Sequence, residues 1–288
     1  VLKNMEILAK LYRHIERGTL IRRVIDYQKI KNEQDWRAFF GDDSRNTICK
    51  KLPKGGKIVL DKHNLISKAI YLDKFETFET NYVAQTLNKG DIFIDVGANI
   101  GLFTIIASNK IGSNGRVYAF EPTSETYGKL IKNIKINQSK NVVCKNVAVS
   151  NREGKAYISI NGSENSALNS IVSSSGNTAI CEEIQCIALD EFFQENKISG
   201  IIKLIKIDVE GWELPVLQGM LQELKVAKPE LIIEVNENNY RNVGYEVEDI
   251  LNLLEQSNYN IYEFDDQGEL IPFSRKEYYS YSNIVAKK

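Results

Sequence analysis

The sequence predicts an α/β fold in which a mostly parallel sheet is covered by helices on both faces. Three observations predict it. From Asp91 onward, short apolar runs such as Val117-Tyr118-Ala119-Phe120 and Leu204-Ile205-Lys206-Ile207 alternate with longer helix-patterned segments, the texture of strands buried on both sides. Two of these runs end in acids beside a glycine or proline, Asp95-Val96-Gly97 and Glu121-Pro122, and open α/β sheets bind ligands outside the carboxyl ends of their strands. The chain closes with two strand-like runs joined by a turn near Gln267-Gly268, suited to an antiparallel edge.

In order along the chain, residues 2 to 28 place Leu2, Met5, Leu8, Tyr12 and Ile15 at steps of three and four, with Lys3, Lys10, Arg13 and Arg17 between them. That is an amphipathic helix, interrupted at Gly18. It reads as a cap on the main domain, with a membrane-surface or docking role as the other reading. Residues 57 to 60 and 68 to 72 read as two short strands around Asp61-Lys62-His63-Asn64. Together these make a helical and hairpin cap over residues 1–80, ahead of a domain at 81–288. A helix ending at Lys89-Gly90 leads to a strand at 92–96, a helix from about 100 to 110, a strand at 116–120, a helix at 124–137 and a strand at 142–148. A strand at 204–207, a helix at 212–223, a strand at 231–235 and a helix at 246–257 follow, then strands near 260–264 and 283–286. Residues 161 to 178 are rich in serine and asparagine without a period, a long loop that reads as a lid or as a surface insertion.

Composition narrows the partners. Lysine plus arginine (37) nearly balance aspartate plus glutamate (38) over 288 residues, so no broad basic field favours nucleic acid. Cys49, Cys144, Cys181 and Cys186 show no metal-ribbon spacing and read as reduced, mostly buried thiols. No apolar run approaches the roughly 20 residues of a membrane span, and the charged first residues do not read as a secretion signal. A cytoplasmic location is expected. The chain begins at Val1, which reads as trimming or as excision from a longer polypeptide.

Three motifs carry chemistry. In Phe93-Ile94-Asp95-Val96-Gly97-Ala98-Asn99-Ile100-Gly101 a strand ends in an acid, a small-residue turn follows, and a helix begins. Gly97 permits the turn, Gly101 a close approach of helix and strand, and Asn99 stands where a left-handed backbone is tolerated. About 20 residues on, Glu121-Pro122 ends the next strand, where an acid accepts both hydrogen bonds of a ribose diol. The third motif is Lys206-Ile207-Asp208-Val209-Glu210-Gly211-Trp212-Glu213, whose Asp208 and Glu210 should face the same crevice. Helix capping accounts for one of those acids and not for two. Asp95 ahead of the glycines disfavours a pyrophosphate and favours a cationic nucleoside, S-adenosylmethionine, over a dinucleotide.

These residues resemble the FkbM-type methyltransferases, a branch of the class I S-adenosylmethionine-dependent superfamily. The likeness rests on Ile94 to Thr104, Ala119-Phe120-Glu121-Pro122, Asn146 to Ser150, Ile205 to Glu213 and Val216-Leu217-Gln218-Gly219. It implies a Rossmann-like sheet of seven strands with one antiparallel edge strand, and methyl transfer to a hydroxyl of a sugar or secondary metabolite. It also implies that Asp95, Gly97 and Gly101 lie beside the methionine moiety, Glu121 on the ribose and the Asn146 to Ala148 turn near the adenine, that Asp208 faces the sulfonium, and that Ala98, Asn99 and Pro122 belong to the same cofactor site.

The acceptor hydroxyl needs a base. Only His14 and His63 are histidines and both precede the cofactor region, so a carboxylate among Asp208, Glu210 and Glu234 is expected to serve, with His63 folding over the pocket as the other route. A metal-assisted variant would use Asp208, Glu234 and Asn236 as oxygen ligands for Mg²⁺; no resident metal is expected. The acceptor is a hydroxylated small molecule, free or tethered to a carrier protein. A nicotinamide-dependent oxidoreductase and a non-catalytic binding domain are the rival readings.

Overall fold

The computed structural model of the chain describes residues 46–159, 170–172, 181–198, 200–240, 243–279 and 281–288. Residues 47–288 cluster into one compact unit. The expected N-terminal helix, and with it most of the expected cap, therefore lies outside the described residues, as does much of 161–178.

The described chain opens with an antiparallel hairpin, β1 (Thr47–Lys51) and β2 (Lys57–Asp61), followed by helices α1 (Leu65–Tyr71) and α2 (Thr77–Thr86). The strand expected at 68–72 is thus a helix. Its cause is Asn64, whose side chain accepts the Ser67 N–H at 2.9 Å; an N-cap of this kind outweighs the strand preference of Ile70 and Tyr71. The true partner of β2, Thr47–Lys51, has one large apolar residue, Ile48, and so little sequence signal.

The remaining elements are β3 (Ile92–Val96), α3 (Leu102–Ile111), β4 (Arg116–Phe120), α4 (Ser124–Asn137), β5 (Val142–Lys145), β6 (Ala148–Val149), β7 (Gly154–Ser159), β8 (Ser170–Val172), β9 (Cys181–Ile187) and α5 (Leu189–Glu195). They continue with β10 (Ile202–Ile207), α6 (Glu213–Gln218), α7 (Leu221–Val226), β11 (Glu230–Val235), α8 (Glu237–Tyr240), α9 (Val247–Gln256), β12 (Asn260–Phe264), β13 (Leu270–Pro272) and β14 (Ser282–Lys287).

The main sheet runs β13-β12-β14-β11-β10-β3-β4-β5. Pairing is parallel from β5 through β11 and antiparallel on both sides of β14. The fold is the expected Rossmann-like α/β architecture, with two refinements. Among the described residues this sheet has eight strands because the three-residue β13 adds an edge, and β14 is inserted between β11 and β12 instead of lying at the margin. All five positions of β3 are buried. One face, with Ile94, Ile205 and Ile233, packs on Phe192, Leu217 and Leu251; the other, with Phe93, Leu204 and Ile232, packs on Val83, Ile105 and the hairpin's Ile58 and Leu60. Since β3 lies between β4 and β10, the strand order reverses there, which makes a crevice at the carboxyl ends.

A second sheet, β6-β9-β7-β8, has no counterpart in the sequence reading. The strand expected at 142–148 is divided between the two sheets, and the helix expected at 212–223 is broken at Gly219-Met220 into α6 and α7. Of the four cysteines, all free, only Cys186 is buried; Cys49 is exposed and Cys144 and Cys181 are half-buried, which corrects the expectation of mostly buried thiols. Among the described residues no helix is long and apolar enough to cross a membrane.

The hairpin is tied to the domain by Asn133 of α4. Fully buried, it accepts the Val59 N–H at 2.7 Å and donates to the Ile100 carbonyl at 2.8 Å. Asn133→Ala leaves two backbone groups without partners and is expected to cost about 2 to 4 kcal/mol, read as a lower urea midpoint; an unchanged midpoint would show that the contacts contribute nothing.

Candidate functional site

The carboxyl ends of β3, β4, β10 and β11 surround a cavity of about 220 Å³. One wall is the turn after β3, where Gly97, Ala98 and Asn99 line the space. Gly97 has φ 81°, and a Cβ there would lie 1.8 Å from the Asp208 carbonyl oxygen; only glycine lets the β3 and β10 ends meet so closely. Asn99 takes the expected left-handed backbone, φ 50°. Gly101, φ 93°, starts α3 and leaves room for Leu130 of α4, where a Cβ would come within 2.6 Å. The close approach is thus between helices, not between helix and strand, and Gly101 does not line the cavity.

Glu121 forms the next part of the wall with Pro122 and Thr123. Its carboxylate accepts from the Asn99 N–H at 3.0 Å, the Thr123 N–H at 3.1 Å and the Thr123 hydroxyl at 2.7 Å. Burial nevertheless pushes Glu121 up to about 7, against those donors. A carboxylate has about four acceptor positions, so capacity remains for a ligand. Ala148 lines the cavity; Asn146 does not, and its amide donates to the Glu121 and Pro122 carbonyls at 2.9 and 2.8 Å. Asn146 therefore positions the Glu121 turn.

The opposite wall is acidic. Asp208, Glu210 and Glu234 line it, and one carboxylate oxygen from each lies within 4.8 Å of the others. Burial raises Glu234 well above its ordinary value, reinforced by Asp208 and Glu210, and burial with Asp208 raises Glu210 to about 8. Glu210 also accepts from the Asn239 amide at 2.9 Å. Neither Asp208 nor Glu210 caps α6, whose N-cap residue Trp212 makes no side-chain cap bond; Glu213 instead accepts the Val209 and Gly211 N–H groups of the preceding turn at 3.1 and 3.2 Å. That leaves both other acids for the cavity.

Two expectations need correction. Asp95 does not line the cavity: it is 1% exposed, accepts from the Thr104 hydroxyl at 2.5 Å, and burial raises it to about 6. Its side chain lies on the face of β3 that packs on α3, where Thr104 meets it. His63 is exposed, its N–H held by Asp61 at 3.0 Å, and is absent from the lining. His14 lies outside the described residues.

Sequence reasoning missed Lys206. Its ammonium, next to the carboxyl end of β10, is buried, 2.6 Å from Asp208 and 3.6 Å from Glu76, and sits 4.5 Å from the centroid of the Phe103 ring. Burial pulls Lys206 down, but Asp208, Glu76 and Asp95 outweigh it and hold it above its ordinary value. The available signal was a charge inside an otherwise apolar strand. Glu76 and Tyr281, which also line the cavity, carried no signal; the Tyr281 hydroxyl donates to Glu76 at 3.3 Å, and burial raises Glu76 to about 7.

These features define an α/β protein with a cavity at the switch point of its sheet, Glu121 on one wall and Asp208, Glu210 and Glu234 on the other. The chain belongs to the FkbM methyltransferase family: the model for the Methyltransferase FkbM domain matches residues 95–261. It is 28% identical over 178 residues to the hexuronic acid methyltransferase AglP of Haloferax volcanii, a match covering 60% of this chain and 65% of that protein. Among solved structures it is similar to the FkbM methyltransferase of Methylobacillus flagellatus (15% identity, 91% of this chain and 59% of that one, TM-score 0.44). It is also similar to precorrin-6y C5,15-methyltransferase of Geobacter metallireducens (15% identity, 75% and 89%, TM-score 0.43).

The raised Glu121 gives a pH prediction. Its folded-state value lies above the ordinary 4.5, so its contribution to stability is full below the lower value and is lost as pH rises through the higher one. The melting temperature of the ligand-free chain should therefore fall less steeply between about pH 5 and pH 8 in Glu121→Gln than in wild type. Parallel curves would remove the assignment.

Proposed function

We propose that the chain is an S-adenosylmethionine-dependent O-methyltransferase acting on a hydroxyl of a sugar or a secondary metabolite. The observation that carries this reading is the pairing of walls: Glu121 beside the Gly97-Ala98-Asn99 turn on one side, and Asp208, Glu210 and Glu234 on the other. Family membership supports it. The hexuronic acid methyltransferase relative supports a sugar acceptor, and neither it nor the solved structures named with it is an oxidoreductase.

S-adenosylmethionine supplies, when bound, a methyl carbon on a positive sulfonium. Glu121 is the acceptor for the ribose hydroxyls, with Pro122 bordering them and Ala148 next to the base; Gly97, Ala98 and Asn99 allow close approach of the backbone, and Asp208 offsets the positive charge. Asp95 and Gly101 act indirectly, by holding the turn and the start of α3, and Asn146 holds Glu121. The acceptor enters beside Ile66, Ile70, Phe75 and Glu76, which border the cavity from the segment before β3. This apolar wall excludes water and orients the hydroxyl, and a carboxylate of Asp208, Glu210 or Glu234 receives its proton. A cytoplasmic enzyme with a small-molecule acceptor, free or carrier-tethered, fits this reading.

A labelled-methyl screen over hydroxylated sugars and metabolites, free and carrier-bound, tests it; no transfer to any acceptor together with no S-adenosylhomocysteine binding would overturn it. Glu121→Gln should weaken S-adenosylhomocysteine about tenfold, the worth of one charged hydrogen bond. Asp208→Asn and Glu210→Gln should each lower kcat about 100-fold or more, with S-adenosylhomocysteine affinity held within about threefold. Turnover near wild type in both variants would rule out these two carboxylates.

A further inference from the structure

We propose that Asp208, Glu210 and Glu234 form a binding site for a hard divalent cation. One oxygen from each lies within 4.8 Å of the others. The three come from two adjacent strand ends, the turn after β10 and the last turn-side residues of β11. In an octahedral Mg²⁺ or Mn²⁺ shell with bonds near 2.1 Å, ligand oxygens lie about 3.0 to 4.2 Å apart, and Ca²⁺ spreads them to about 5 Å. The 4.8 Å limit falls within the spread of a Ca²⁺ shell and lies just beyond that of an octahedral Mg²⁺ or Mn²⁺ one. An all-oxygen, all-anionic donor set selects hard cations over zinc or copper.

Charge balance makes the same point independently of the cluster's shape. Glu76 joins the three acids in the cavity lining, so four carboxylates face one ammonium, that of Lys206. Lys206 is committed to Asp208 Oδ2 at 2.6 Å and is more distant from Glu76. Glu234 is 4% exposed, and its Oε2 is fully buried with no hydrogen-bond partner among the described residues. A buried carboxylate oxygen left without a donor costs free energy that a native fold does not retain idly. Here that oxygen belongs to the residue that closes the triangle. Asn239 holds Glu210 through Oε2 and Lys206 holds Asp208 through Oδ2, so each of these carboxylates is oriented through one oxygen and keeps the other for a ligand.

The site stands on this geometry alone; its use rests on the methyl-transfer reading. There, a cation on the acidic wall would make an acceptor hydroxyl bound to it more acidic, which lets a neighbouring carboxylate oxygen receive the proton more readily. The competing arrangement is one in which protons, not a metal, neutralise Glu210 and Glu234.

Titrating Mn²⁺ alone into the metal-stripped full chain, followed by calorimetry and by the electron paramagnetic resonance of free Mn²⁺, separates the two. The expected result is one saturable site per chain with a Kd below about 1 mM, weakened about tenfold or more in Glu234→Gln and in Glu210→Gln. Circular dichroism establishes that each variant is folded, and if Glu234→Gln is not, Glu210→Gln carries the test. No saturable binding up to about 1 mM, or binding that neither folded variant alters, overturns the site. S-adenosylhomocysteine binding measured on the same metal-free chain reports separately on the methyltransferase reading, so its failure leaves the cation result intact.

Discussion

Lys206 carries a full positive charge into the centre of a sheet, and the cavity is organised around it. Its neighbours on β10, Ile205 and Ile207, are completely buried, and an ammonium in such surroundings survives only with anionic partners. Those partners come from different parts of the chain. Asp208 lies two residues on, at the end of the same strand, while Glu76 is brought by the turn before α2. Phe103 of α3 covers the ammonium with its ring face. One buried charge thus fixes the relative positions of the acidic wall, the N-terminal segment and the first helix of the nucleoside side. Removing it would leave a row of carboxylates with nothing to offset them.

The second constraint is steric. The turn after β3 and the turn after β10 touch at Gly97 and the Asp208 carbonyl, a contact no side chain at position 97 would allow. Across the cavity, Trp212 joins the two sheets: its indole N–H donates to the Ser150 hydroxyl at 3.0 Å, and its ring packs on Ala148, Ile158, Ile184 and Cys186. The wall that includes Ala148 is therefore held by the same loop that presents Asp208 and Glu210. Glu213 makes that loop rigid by accepting its N–H groups. The acids that face the cavity and the acid that shapes the loop are only a few residues apart and do different work.

What could be read from the sequence follows from how local the cause is. β3, β4 and α4 fall at their expected bounds because each is a contiguous apolar or amphipathic run. The left-handed Asn99 was legible because asparagine tolerates that backbone and few residues do. α1 was misread as a strand because its cap, a single side-chain bond from Asn64, outweighs residue preferences. The second sheet was invisible because its core is only Ala148, Ile158, Ile184 and Cys186, too few apolar residues to impress a period on the segments that supply them. Asp95 reads as a ligand residue from its place in the motif, whereas its carboxylate is taken up by the Thr104 hydroxyl of α3.

The same reasoning explains why one side of the cavity is legible in the sequence and the other is not. Gly97, Asn99, Glu121 and Asp208 all stand at or just beyond carboxyl ends of parallel strands, positions that the topology itself brings together. The other side is assembled from Ile66 and Ile70 on α1, Phe75 and Glu76 in the turn before α2, and Tyr281 just before the last strand. Glu76 and Tyr281 are 205 residues apart, yet their side chains meet at 3.3 Å. No short motif can encode a contact of that separation, because it depends on where β14 is inserted between β11 and β12 and on how the turn before α2 reaches Lys206. That side of the cavity is thus set by the elements that close the sheet, whereas the side with Gly97 and Glu121 is set by the strands that open it.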